Sequence, residues 1–95
     1  MTQDSQTFAR VFDALADTPQ EAANLRARAD LARALAALVA ERGWTQAEAA
    51  RQCGVTQPRM NDLLRGRISR FSLDALVNMI AACGQQVHVE ITEAA

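Results

Sequence analysis

The sequence predicts an all-α domain of five helices followed by one C-terminal β-strand, which pairs across a dimer. Three observations carry that prediction. Apolar residues recur at helical spacing through most of the chain, and hydroxyl side chains at Thr18, Thr45, Thr56 and Ser72 stand where helices need caps. Each capped stretch is closed by a glycine: Gly43, Gly54, Gly66 and Gly84. The segment after Gly84 then changes to strict alternation, with Val87, Val89 and Ile91 between polar neighbours.

Taken in order, Met1 to Gln6 is polar, and Phe8, Val11, Phe12 and Leu15 repeat at i, i+3, i+4 and i+7. That spacing predicts a short amphipathic helix within an N-terminal segment, residues 1–18. Thr18, Pro19 and Glu21 form the cap, first helical position and capping-box acid of a long helix from Pro19 to about Arg42. Its core face is expected from Leu31, Leu35, Leu38 and Val39, extended by Leu25 and Ala22. Trp44 precedes the next cap, where it can staple onto Ala49.

Residues 45–66 hold two short helices. Thr45 and Glu48 form a capping box for a helix from Gln46 to Cys53, and Gly54 takes the left-handed conformation that reverses the chain. Thr56 caps the second helix, with Pro58 in its first turn. Ala49, Ala50, Cys53, Val55, Met60 and Leu63 fall where two crossed helices press together, and Ala50 is small enough to let them approach. Gln57, Pro58, Arg59, Asn61, Asp62 and Arg65 are left outward. Gln, Asn and Arg are the side chains that make bidentate contacts to base edges, so this is the pattern of a helix-turn-helix unit whose second helix enters a DNA groove. An interior helical hairpin with a polar outer face is the plainer alternative. Double capping, the turn glycine and Ala50 together favour the first. A basic link, Arg67 to Phe71, leads to a last helix capped by Ser72 and carrying Leu73, Leu76, Val77 and Ile80. The helix-turn-helix domain is thus read as residues 19–84, and the dimerisation strand and tail as 85–95.

Charge follows the same division. The chain of 95 residues has a formal net charge of −1, which argues against a nonspecific nucleic-acid coat. Between Arg42 and Arg70, however, stand six arginines against Glu48 and Asp62, while the segments on either side are acidic. Positive charge is concentrated where phosphate binding requires it.

Cys53 and Cys83 lack metal-ligand spacing, and His88 lies in a different kind of segment, so no metal or other cofactor is implied. Both cysteines are read as buried free thiols in a reducing cytoplasm. A hydrolase built on His88 and Cys83 fails on spacing and on the want of a third partner, and the chain is read as no enzyme. No signal peptide or membrane span is recognised.

The run TQAEAARQCGVTQPRMNDLLRGRISRFSLDALVNMIAACG resembles the XRE, or lambda-repressor/Cro-like, class of helix-turn-helix proteins, and more narrowly the HigA-like antitoxins. FARVFDALAD, GWTQAEAA, GVTQPRMNDLLRG, RFSLDALVNMIAACG and VHVEI match that pattern in order, from Phe8 to Ile91. The resemblance implies a cytoplasmic, nucleoid-associated bacterial repressor that autoregulates a toxin-antitoxin operon, with a palindromic operator, a second copy and a cognate toxin as partners. It further implies that Gln46 anchors to a phosphate and that Thr56, Gln57, Pro58, Asn61 and Asp62 face the major groove. Arg59, Arg65 and Arg67 resemble backbone clamps, and Arg70 extends the same basic link. Val87, Val89 and Ile91 would form the dimer contact, because a lone strand needs another strand for its backbone groups and a second copy is the simplest source; an N-terminal strand is the competing partner, but Phe8 to Leu15 reads as helix. Met60 stands where the family often has Val and Asn61 where it often has Ser, so the operator sequence does not transfer. The alternative use of these helices is a protein-interaction module that binds a toxin or other partner without specific DNA binding.

Overall fold

The computed structural model describes residues 17–94. The expected helix over Phe8 to Leu15, with most of the N-terminal segment, lies outside them. Four α-helices follow: α1 (Pro19–Arg42), α2 (Gln46–Cys53), α3 (Gln57–Leu64) and α4 (Leu73–Ala82). A single 3-10 turn, Ile68–Arg70, connects α3 to α4.

Every helix starts on the hydroxyl that the sequence places there. Thr18, Thr45 and Thr56 accept from the backbone N–H groups of Glu21, Glu48 and Arg59 at 3.1, 3.1 and 3.3 Å, and Ser72 accepts from Ala75 at 3.0 Å. Only half of each expected capping box forms. Glu21 accepts from the backbone of Asp17 rather than Thr18, and Glu48 turns to Arg51 and Gln52. A guanidinium one turn along the helix offers a charged partner, which outcompetes a single amide donor for a carboxylate.

The core joins all four helices. Leu35, Ala49, Met60, Phe71 and Leu76 are at most 1% exposed, and Ala32, Val39, Ala50, Cys53, Leu63, Met79 and Ile80 complete the cluster. On α1 the deepest positions include Ala29 and Ala32 beside Leu35 and Val39, whereas Leu31 and Leu38 lie half-buried at the margin. The expected leucine face is therefore rotated toward the alanines, whose small side chains let α1 come close to its neighbours. Trp44 packs half-buried against the core, with the Arg42 guanidinium 5.8 Å from its ring centroid.

The five-helix fold with a C-terminal strand is corrected at the strand, the expected helix over Phe8 to Leu15 lying outside the described residues. Among the described residues there are four α-helices and no strand. After Gln85 donates its N–H to Ile80, the chain to residue 94 carries no regular secondary structure. A strand needs a neighbour to take its N–H and C=O groups, and the elements around this segment are helices whose backbone groups already pair internally. Alternation alone supplies no such neighbour. Val87 packs against the core, whereas Val89 and Ile91 are 75% and 94% exposed. The strand expected to pair across a dimer is accordingly absent from the described residues.

Candidate nucleic-acid interface

The site is built on the α2–α3 pair. Gly54, at φ 70°, joins the two helices; a Cβ there would meet only Ala82 Cβ at an ordinary 3.8 Å, so the backbone angle and not space demands glycine. Beneath the pair, Ala49, Ala50, Cys53, Met60 and Leu63 are buried, which fixes the opposite faces toward solvent. Gln57 and Pro58, in the first turn of α3, are exposed. Thr56 is exposed too, although its hydroxyl is engaged in capping.

Gln46 and Asn61 meet across the two helices. The Gln46 side-chain amide donates to Asn61 Oδ1 at 3.0 Å, tying the exposed first turn of α2 to the middle of α3. The N-terminal turn of α2 therefore lies on the same surface as the outward residues of α3.

The arginines divide into three settings. Arg59, half-buried, lays its guanidinium over the Phe71 ring, 4.2 Å from the centroid. Arg67 and Arg70 converge on one oxygen of Asp62, at 2.8 and 2.9 Å. Asp62 is thus a partly covered counter-ion rather than an open carboxylate, and its pKa is held below the ordinary aspartate range by the hydrogen bond from Arg67 and the charge of Arg70. Arg65, just past the end of α3, is exposed. On the flank, Glu48 is pushed down to about 2 by hydrogen bonds from Arg51 and Gln52.

Two residues escaped the sequence reading. Phe71 appears there only as the end of the basic link, yet it is 1% exposed and serves as the platform for Arg59. Arg28 on α1 donates from Nη1 to the Phe71 carbonyl at 3.1 Å. Its position, three residues after Leu25 and three before Leu31 of the expected core face, was the available signal that it borders the core.

Cys53 and Cys83 are both free thiols. Burial, reinforced by the neighbouring Cys83, pushes the Cys53 thiol up to about 11, and Cys83 donates from its sulfur to the Ile80 carbonyl. Among the described residues no group of His, Cys, Asp and Glu side chains is arranged to hold a metal ion. Nor is any described helix long and apolar enough to cross a membrane.

A capped helix pair on a shared core, joined at a left-handed glycine and flanked by arginines, is the arrangement that a family model described as a helix-turn-helix domain matches over residues 14–92. The chain belongs to the helix-turn-helix domain family. No curated protein matches it. Family membership makes the chain a DNA-binding regulator.

Proposed function

We propose that this helix-turn-helix domain is a sequence-specific transcriptional repressor that acts by binding rather than catalysis. In this reading Gln57, Pro58 and Asn61 face the major groove, while Gln46, Arg65, Arg67 and Arg70 approach phosphates, and Arg59 lies at the margin between the two sets. The observation that supports it most is the Gln46–Asn61 hydrogen bond of 3.0 Å, which joins a phosphate-facing helix start to the groove-facing helix.

One recognition helix spans few base pairs, so the protein acts as two copies on inverted half-sites about one DNA turn, ~34 Å, apart. Val89 and Ile91 provide exposed apolar area that a second copy covers by side-chain packing. The resemblance of the motifs to HigA-like antitoxins supports an autoregulating antitoxin of a toxin-antitoxin operon in the bacterial cytoplasm, with a toxin as its protein partner. Selection from a random duplex pool at fixed salt tests the first part: enriched inverted repeats are expected. Enrichment of nothing above random duplex would instead favour the protein-interaction module. For the antitoxin, the expected result is a stable complex with the product of the adjacent reading frame and repression of the shared promoter. A neighbour that neither binds nor is repressed would contradict it.

A further inference from the structure

Phe71 is a core residue by burial, yet one face of its ring is spent on a charged side chain of α3. The Arg59 guanidinium sits 4.2 Å above that ring. Cation–π attraction of this kind strengthens when the pair is shielded from water, and Arg59 is half-buried. The ring itself is held from two sides. Its backbone N–H donates to Ile68, closing the 3-10 turn, and its carbonyl accepts from Arg28 Nη1 of α1. A long, flexible side chain of α3 is thereby laid on a ring of the link after α3, and α1 holds the backbone of the residue that carries that ring.

The geometry points to Phe71 as a positioning residue for DNA recognition, holding Arg59 in the orientation in which it meets the nucleic acid, with Arg28 holding Phe71 in turn. This rests on the DNA-binding reading above. Arginine loses rotamer freedom when it binds, and a side chain already ordered on a ring loses less, so the stack raises affinity through preorganisation. Sequence spacing hides this arrangement, since it leaves Phe71 only as the end of the basic link and singles out nothing at Arg28.

The test is a double-mutant cycle on a duplex selected by the wild-type protein, with a scrambled duplex as control, at fixed salt. Phe71→Leu should lower affinity for the selected duplex by roughly five- to tenfold when Arg59 is present, and by less than about twofold in an Arg59→Ala background. Phe71→Tyr, which keeps the ring, should restore wild-type affinity. Equal losses in both backgrounds would make Phe71 a structural residue only and overturn the proposal, as would an Arg59→Ala protein that binds like wild type. Should Phe71→Leu not fold, the wild-type protein still decides the matter by NMR. Ring-current shifts of the Arg59 side-chain protons should persist in the DNA complex, and their disappearance on binding would overturn the proposal. Failure to select any duplex would instead overturn the DNA-binding reading itself.

Discussion

The α2–α3 pair and the tail after Gly84 carry equally regular apolar patterns, but the two end differently. In the pair, Ala49, Ala50, Cys53, Met60 and Leu63 are at most 4% exposed. In the tail only Val87 reaches the core, and Val89 and Ile91 stand in water. Periodicity tells which side chains share a face. It does not tell what covers that face. The helix pair answers the second question from within the chain, because a helix satisfies its own backbone and needs a neighbour only for its apolar side. An extended segment needs a neighbour for its backbone as well.

That contrast can be broken at its strongest point first. Met60 is fully buried between the two motif helices and the rest of the core, so Met60→Ala should cost about 2–5 kcal/mol in stability. Denaturant unfolding measures this, and a cost below about 1 kcal/mol would mean that α3 does not pack as described. The cap of α2 is the next level down. Thr45→Ala removes the acceptor for the Glu48 N–H and should cost about 1 kcal/mol, whereas Thr45→Ser should cost little, since it keeps the hydroxyl.

Acid should act on the motif and spare the tail. The pKa of Glu48 is lowered to about 2 from an ordinary 4.5, so its contribution is complete above the ordinary glutamate range and is lost as pH falls toward 2. Asp62, also lowered, adds loss of the same sign at low pH as it releases Arg67 and Arg70. A melting-temperature series should therefore decline below the carboxylate range, and Glu48→Gln should flatten part of that decline. An unchanged slope in the variant would remove Glu48 from the account. The smallest effect belongs to the tail. Val89→Asp should change the stability of the helical domain by less than about 0.5 kcal/mol at high dilution, because Val89 is 75% exposed. A larger loss would mean that the tail is packed after all.

Much of the motif was legible from the sequence because its signals are local. Four hydroxyl caps, four glycines and the small Ala50 each act within a few residues, and the described helices begin and end where those residues place them. What escaped depends on distant partners. Asp62 gathers two arginines of the following link, and Phe71 receives Arg28 from 43 positions away. No spacing rule encodes those choices. The strand failed for the related reason that alternation was read as structure without a partner in the same chain.

Whether the outward turn of α3 reads base sequence is decided at Gln57. This residue is exposed and makes no contribution to the core, so Gln57→Ala should leave the melting temperature unchanged. The measurement is the ratio of affinities for a selected duplex and its scrambled counterpart, taken at one salt concentration with wild-type and variant protein. The variant should narrow this ratio by about 1–3 kcal/mol per half-site, with nonspecific affinity nearly constant. A ratio identical to that of the wild type would contradict this expectation and take Gln57 off the reading surface.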